Sequence, residues 1–188
     1  AVNTSQFSVW IVGEAVSEPE VEQISPASIQ VGETYVFAID GITSSDQGSG
    51  TFALSSEPNE NVDPQLREHV RFDKTTETLE KSIAWIVEQS EDGYALRSVQ
   101  DDLYLNLVLR SGNGSLELGE KQTLKLTAVG NNVVISRTID GVSYRVRFTN
   151  TAGCGWQAAT DEATSQFQVY HVTGNIPEKP DEPSDELA

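Results

Sequence analysis

The chain has little of what cross-links, catalysis and nucleic-acid binding require. Its 188 residues include one cysteine, two histidines and no methionine. A single cysteine, Cys154, excludes an internal disulfide bond. Only 12 basic residues stand against 29 acidic ones, which gives a net charge of −17. Such a chain repels the phosphate backbone of nucleic acids and anionic membrane surfaces. The composition therefore predicts no nucleic-acid partner.

Long apolar runs are also missing. No stretch approaches the roughly 20 apolar residues that span a bilayer, so we expect no membrane insertion of this fragment. The chain opens Ala1-Val2-Asn3 rather than with methionine. We interpret it as a fragment or a processed product, with any signal peptide or anchor outside it.

Catalytic and metal-binding patterns are sparse as well. A nucleophile activated by histidine would have to use His69 or His171, and His171 lies in a predicted strand where packing is its expected role. Cys154 stands between glycines, away from any thiolate-stabilising motif, and we expect a small buried hydrophobic residue there. The chain cannot supply a closed zinc site, and it lacks the calcium-binding loop pattern. We therefore predict no enzyme, no catalytic residues, no metal and no cofactor.

What the chain does contain is a repeat. Three copies of a strand, a polar turn and a second strand begin at Tyr35, Trp85 and Val134, at spacings of 50 and 49 residues. Repetition at a fixed period indicates a fold built from copies of one unit. Asp92-Gly93 and Asp140-Gly141 occupy two of the turns, where Asp-Gly supplies the positive φ of a tight hairpin.

Strand patterns fill most of the sequence after residue 31. Alternating apolar and polar residues predict twelve strands, near 35–40, 50–55, 69–73, 82–89, 94–98, 103–107, 115–119, 124–129, 132–138, 143–149, 155–159 and 167–172. Twelve strands in three sets of four predict an all-β, β-trefoil-like barrel, in which closure removes exposed sheet edges. The polar stretch from Asp63 to Lys81 allows a helical turn around Pro64 to His69.

The predicted domain organisation has three parts. Residues 1–30 hold an additional N-terminal strand, Phe7 to Val12, and an acidic connector. Residues 31–174 form the β-trefoil-like domain. Residues 175–188, with three prolines, five acids and no aromatic residue, are predicted to be a disordered acidic linker.

Several segments carry a family resemblance. They are Gly32–Phe37, Phe52–Ser55, Ala84–Glu88, Asp92–Ser98, Tyr104–Leu107 and Phe167–Tyr170. In this order they resemble the β-trefoil-like modules of large exported, often cell-wall-anchored, surface proteins of Gram-positive gut bacteria. The resemblance implies an extracellular, cell-surface location and an adhesive or glycan-associated role, with the acidic tail as a wall-proximal spacer. The Gln-x-Trp motif of ricin-like lectins is absent, since Trp156-Gln157 has the reverse order.

Sugar binding is the functional site that the residues themselves suggest. Sugars are bound by an aromatic face together with planar polar side chains. Two groupings fit: Trp156 with Gln157, where flanking glycines suggest a loop, and Tyr104 with Asn106, Asp101 and Asp102. Alternation places Tyr104 and Asn106 on one face of their strand. Two further aromatic residues, Trp85 and Tyr94, are predicted to lie in the core.

We therefore expect a non-catalytic, monomeric binding or adhesion module for a glycan or a host surface protein. One alternative is a structural spacer or assembly domain without a ligand. Another is a trefoil-type protease inhibitor that presents the turn Gly41–Gly50 or Pro58–Arg67.

Overall fold

The computed structural model describes residues 17–59, 63–150 and 154–177. The predicted strand Phe7 to Val12 and most of the predicted linker lie outside these residues. The strands are β1 (Glu20–Ile24), β2 (Thr34–Ser44), β3 (Gly48–Asn59), β4 (Asp63–Arg71), β5 (Trp85–Ser90), β6 (Gly93–Ser98), β7 (Tyr104–Arg110), β8 (Asn113–Gly119), β9 (Lys125–Val129), β10 (Asn132–Ile139), β11 (Val142–Thr149), β12 (Gly155–Ala159) and β13 (Gln168–Thr173). Three short 3-10 turns lie at Pro26–Ser28, Thr76–Thr78 and Lys81–Ile83. Within the described residues, no helix has the length and apolar character needed to cross a bilayer.

The all-β prediction is confirmed, and all twelve predicted strands are present as β2 to β13. Six of them, β2, β5, β6, β9, β10 and β13, are joined in that order by antiparallel pairing, and β13 pairs with β2. Full ladders join β5 to β6, β9 to β10 and β13 to β2. The arrangement is that of a trefoil barrel, which uses the first and last strand of each set of four.

Two joints in this ring are narrow. A single antiparallel bridge links Tyr94 of β6 to Leu124, beside β9, and another links Val133 of β10 to Phe167, beside β13. Each bridge carries two backbone hydrogen bonds of 2.6 to 2.9 Å. Gly93 allows the first one, because a Cβ at this position would lie 2.3 Å from the carbonyl oxygen of Leu124.

The remaining strands form three hairpins, β3–β4, β7–β8 and β11–β12, one in each set. Their second strands converge: β12 pairs with β4 through Trp156 and Arg67, and β8 packs against both. Gly114 of β8 lies so close to β12 that a Cβ there would be 2.2 Å from the carbonyl oxygen of Ala158. The hairpins therefore close one end of the barrel as a cap.

The core is divided by β2, which is buried on both faces. Tyr35, Phe37 and Ile39 point into the main cluster with Trp85, whereas the intervening Val36 and Ala38 belong to a second cluster. This second cluster is covered by Phe72, Leu79 and Ile83 from the polar segment that follows β4. Burial on both faces explains why β2 reads as a continuous apolar run instead of alternating.

The acidic connector is partly a strand, which the sequence analysis missed. Residues Glu20–Ile24 form β1 and pair along their whole length with β13. The side chains of Ile24 and Ile29 pack against the main core. The chain therefore pairs with the domain from Glu20, eleven residues before the predicted boundary at residue 31. At the other end Ile176, the second residue of the predicted linker, packs on the second cluster.

Three local predictions also need correction. The segment Pro64 to His69, for which the sequence allows a helical turn, is instead part of β4. Of the two turns named for the protease-inhibitor alternative, Gly41–Gly50 is mostly strand, since β2 ends at Ser44 and β3 begins at Gly48. Asp140 and Gly141 have the expected positive φ of 51° and 81°, but in the β5–β6 turn the positive φ falls on Glu91.

Candidate functional site

A shallow polar groove lies where the first narrow joint of the barrel meets the cap hairpin β7–β8. Its volume is about 590 Å³. The β5–β6 turn, Asn106 of β7, residues 120–125 and the β10 residues Arg137 and Thr138 line it. Asn106 is the one residue predicted for sugar binding that lines this groove.

Internal hydrogen bonds hold the groove walls. Gln122 Oε1 accepts a hydrogen bond from the backbone N–H of Leu107 at 2.7 Å, and Arg137 Nη1 donates to the carbonyl oxygen of the same residue at 2.7 Å. The amide nitrogen of Asn106 donates to the carbonyl oxygens of Tyr104 and Glu120, both at 3.0 Å. One face of the groove thus consists of two side-chain amides and a guanidinium, which these hydrogen bonds hold in fixed positions.

The charges around the groove balance. Three acids, Glu91, Asp92 and Glu120, and three bases, Lys121, Lys125 and Arg137, line it. The chain as a whole carries −17, so this balance is local. A surface with both signs and two amides offers hydrogen-bond donors and acceptors without a net field that selects a charged ligand.

Tyr104 adjoins the groove through a cluster of charged side chains. Its hydroxyl donates to Glu88 Oε1 at 2.9 Å, and Lys121 Nζ lies 3.3 Å from the same oxygen. Arg97 bridges Glu88 at 2.6 Å and Asp102 at 2.7 Å. The hydrogen bond from Arg97 is the main reason that the pKa of Glu88 lies below its ordinary value. Lys121 lines the groove, and its contact with Glu88 places the half-buried ring of Tyr104 beside it.

The two predicted aspartates serve the β6–β7 turn. Asp102 is exposed, has a positive φ of 57° and pairs with Arg97. Asp101 accepts a hydrogen bond from the Ser98 hydroxyl at 3.2 Å, while its backbone N–H donates to that hydroxyl at 3.1 Å. The structure thus brings Tyr104, Asn106 and Asp102 into one neighbourhood, whereas Asp101 stabilises the turn.

The prediction that Trp156 offers a surface ring is wrong. Trp156 is fully buried, and its ring packs against Phe148 and Phe167 at 5.5 and 5.0 Å between centroids. It lies inside β12 and not in a loop, because the pairing of β12 with β11 and β4 points this side chain into the barrel. Trp85 is also fully buried, as predicted, and Tyr94 is half-buried against the core.

Gln157 is separated from the polar groove. It alternates with Trp156 to the outer face of β12 and lines a small cleft of about 300 Å³ with Gln65 and Asn113 at the cap. The two predicted sugar-binding groupings therefore do not form one site.

A second cluster of polar side chains escaped the sequence analysis. Asp46 from the β2–β3 turn, His69 of β4 and Cys154, just before β12, present ligand atoms that all lie within 4.8 Å of one another. Cys154 is buried at the edge of the main core cluster, as predicted, but its sulfur also contacts the polar side chains of Ser45, Asn150 and Ser44. Asp46 and Cys154 are 108 residues apart in sequence, so no short motif reveals this cluster.

No protein-family model and no curated protein matches the chain. Among solved structures, a ricin B-like lectin of Macrolepiota procera in complex with lactose is similar, with a TM-score of 0.50 and 12% identity over 81% of this chain and 99% of that one. The Polyporus squamosus lectin, bound to a human-type influenza-binding epitope, has a TM-score of 0.50 and 13% identity. That match covers 76% of this chain but only half of the lectin. At such identities the likeness shows the fold alone, and the chain folds as a β-trefoil similar to that of ricin B-like lectins.

Proposed function

We propose that the protein is a non-catalytic carbohydrate-binding module and that its sugar site is the polar groove around Asn106 and Gln122. The observation that carries the proposal is the composition of this groove: two anchored side-chain amides and charges of both signs beside Tyr104. The two similar structures support it, since they are lectins with lactose and a sialylated trisaccharide in their sites.

The groove suits a neutral sugar. Sugar hydroxyls both donate and accept hydrogen bonds, and planar amides and carboxylates satisfy them in pairs. Gln122 uses its oxygen internally and keeps its amide N–H groups for a ligand, whereas Asn106 uses its nitrogen internally and keeps its oxygen. A half-buried tyrosine beside the groove offers a face on which the apolar side of a sugar ring can stack.

A glycan array followed by calorimetry on the retained oligosaccharide tests the proposal. In Gln122→Glu the carboxylate still accepts from Leu107 but no longer donates to a hydroxyl, so affinity should fall about tenfold. Gln157→Glu is the matched control, because this residue lines the separate cleft at the cap, and it should bind as the wild type does. Retention of no glycan, or equal affinity of Gln122→Glu and wild type, would overturn the proposal.

Two substitutions of Tyr104 distinguish a contribution from ring stacking from one that depends on its hydroxyl. Tyr104→Phe keeps the ring but loses the hydrogen bond to Glu88, so it should retain sugar affinity if stacking is the contribution of this residue. Tyr104→Ala removes the ring and should weaken binding by about one to two powers of ten. Equal affinities for all three proteins would show that Tyr104 is outside the site.

The wider setting follows from the resemblance described above. We propose that the domain belongs to an exported, cell-wall-associated bacterial surface protein and acts as a monomer in adhesion to glycans or host surface proteins. Fractionation of the source cells and the length of the parent reading frame test this placement. A cytosolic location of the parent protein would contradict it.

One observation favours the alternative of a ligand-free spacer. The side-chain amides of Asn106 and Gln122 already make hydrogen bonds to the backbone, so these residues also stabilise the fold. The spacer predicts that Gln122→Glu lowers stability without any oligosaccharide being bound by the wild type. The array and an unfolding curve for the same variant therefore separate the two functions.

A further inference from the structure

We infer that Asp46, His69 and Cys154 form a binding site for a thiophilic divalent transition-metal ion, with Zn²⁺ as the best chemical fit. The site is independent of the polar groove and of the proposed sugar-binding function. It lies at the meeting point of three segments: the β2–β3 turn, the middle of β4 and the entry to β12.

The spacing of the donor atoms fits a small metal ion. His69 Nε2, Cys154 Sγ and a carboxylate oxygen of Asp46 all lie within 4.8 Å of one another, and the Nε2 to Oδ1 distance is 2.9 Å. In a tetrahedral zinc site, bonds of about 2.0 to 2.3 Å separate ligand atoms by roughly 3.3 to 3.8 Å. The Asp46 side chain is 57% exposed, so its carboxylate can move outward from the 2.9 Å contact with Nε2 to such a separation.

More polar atoms surround His69 Nε2 than hydrogen bonds can satisfy. Asp46 Oδ1 and Ser44 Oγ both lie 2.9 Å away, and Gln47 Nε2 lies 3.2 Å away. A neutral imidazole nitrogen offers either one proton or one lone pair. A carboxylate and an amide nitrogen both approach this atom, and one proton or one lone pair on Nε2 cannot serve both, although the amide also donates to the His69 carbonyl oxygen at 3.3 Å. A cation between Nε2, the carboxylate and the thiolate would satisfy the lone pairs together.

The other ring nitrogen is placed as in histidine metal ligands. Within the described residues Nδ1 makes no hydrogen bond of good geometry, and Glu68 Oε1, which accepts from the His69 backbone N–H, lies 3.1 Å from it. A small rotation of the Glu68 carboxylate would let it accept the Nδ1 proton, which leaves the Nε2 lone pair for a metal. The ring is fully buried between Phe52 and Phe148, with centroids 5.2 and 5.3 Å away. The imidazole is therefore oriented before any ion arrives.

Cys154 is also held in position by hydrogen bonds. Its Sγ lies 2.6 Å from Ser45 Oγ and 2.8 Å from Asn150 Oδ1, and the side-chain amide of Asn59 donates to its backbone carbonyl. Binding of a metal ion would displace the proton of this thiol. A thiolate is the form that binds metal.

The donor set selects the class of ion. Thiolate and imidazole ligands suit zinc and similar transition metals, whereas calcium and magnesium require oxygen ligands. One thiolate and one carboxylate neutralise a divalent ion when the imidazole is neutral. Three protein ligands leave a fourth position for water or for the adjacent Ser44 hydroxyl.

Cobalt provides the first measurement. The full chain, kept reduced with a non-chelating phosphine and freed of metal by dialysis against chelator, is titrated with Co²⁺ and then with Zn²⁺. We expect one equivalent to bind with a thiolate-to-cobalt charge-transfer band, which Zn²⁺ then displaces. Cys154→Ser, a nearly isosteric change, should bind without this band and at least tenfold more weakly.

Two carboxylate variants locate the site without touching the core. Asp46→Asn should weaken Zn²⁺ binding at least tenfold, while Asp140→Asn, at the exposed β10–β11 turn, is the control and should leave it unchanged. Glu68→Gln should weaken binding about 10- to 100-fold, as loss of a carboxylate behind a histidine ligand does. Circular dichroism of each variant checks that it folds.

The competing arrangement is a protonated His69 between Asp46 and Glu68 without a metal. It predicts no charge-transfer band and no stoichiometric Zn²⁺ binding by the reduced wild type, and either result would overturn our inference. Binding that Asp46→Asn and Cys154→Ser both leave unchanged would also overturn it, because the ion would then occupy surface carboxylates elsewhere.

Discussion

The indole N–H of Trp156 donates a hydrogen bond to the carbonyl oxygen of Ala53, 2.9 Å away in β3. The indole of Trp85 donates to the next residue, Leu54, at 3.0 Å. Two tryptophans that are distant in sequence thus satisfy neighbouring carbonyl groups of one strand. Both are structural residues of the barrel interior, and their contribution should appear in stability.

Trp156→Phe should lower the free energy of unfolding by about 2 kcal/mol, because it removes buried volume and leaves the Ala53 carbonyl oxygen without this donor. Urea unfolding at constant m-value measures the change. Leu103→Ala, at a largely exposed position, is the control and should stay within about 0.5 kcal/mol of wild type. Unchanged stability together with lost sugar binding would place the ring at the binding surface instead.

Two buried tyrosines should respond to the same substitution in opposite directions. Within the described part of the chain, the Tyr170 hydroxyl is buried without a hydrogen-bond partner, whereas that of Tyr35 accepts from the Gln30 N–H at 2.7 Å. Tyr170→Phe should therefore raise the free energy of unfolding by about 1 kcal/mol, and Tyr35→Phe should lower it by a similar amount. Urea unfolding of both variants decides this, and equal effects would contradict the pairing.

Tyr170 also predicts an alkaline loss of stability. Burial, assisted by the charge of Asp40, raises the pKa of Tyr170 to about 12 from an ordinary value of 10.0. As pH rises above 10.0 the unfolded chain loses this proton first, so the folded state binds more protons and stability falls until pH reaches about 12. Unfolding free energies of Tyr170→Phe should fall less steeply over this range. An equally steep fall of the unfolding free energy with pH in the variant and the wild type would exclude Tyr170 as a cause of the alkaline loss of stability.

Glu88 predicts a loss of stability in acid. Hydrogen bonds from Arg97 and Tyr104 favour its ionised form and lower its pKa from the ordinary 4.5. Its contribution is present above pH 4.5 and disappears as pH falls through the lower folded value. Glu88→Gln should cost about 0.5 to 1 kcal/mol at neutral pH and flatten the acid limb of the stability profile. Glu22→Gln, at an exposed position of β1, is the control and should leave both the neutral-pH stability and its fall in acid unchanged. A fall in acid as steep as that of the wild type in Glu88→Gln would contradict the role given to Glu88.

The contribution of β1 can be measured with one side chain. Ile24 is partly buried against the main core and pairs with Val169 of β13. Ile24→Ala should lower the free energy of unfolding by about 1 kcal/mol, less than for a fully buried isoleucine. Glu20→Ala, at an exposed position of the same strand, is the control. If Ile24→Ala unfolds at the wild-type urea concentration, β1 adds no stability to the domain.

Sequence patterns were sufficient for the barrel because it depends on local rules. Alternation, turn residues and the repeat near 50 residues specify each strand within its own segment, so β2 to β13 were predictable. β1 was missed because its sequence, Glu20-Val21-Glu22-Gln23-Ile24, offers few apolar residues. It is a strand because β13 supplies a partner and because Val21 and Ile24 find apolar surfaces only in the folded domain.

The positions of the candidate site residues depend on strand pairing as well as on local sequence. Trp156 and Gln157 are adjacent in sequence, but strand pairing sends one into the core and the other to the surface. Tyr104 and Asn106 do share a face, since alternation within one strand is a local property. The sequence alone was thus enough for the all-β class, the three-fold repeat and the acidic surface. The meeting of Asp46, His69 and Cys154 arises only when β4 and β12 pair across the cap, because contacts between distant segments depend on how the strands close around the barrel.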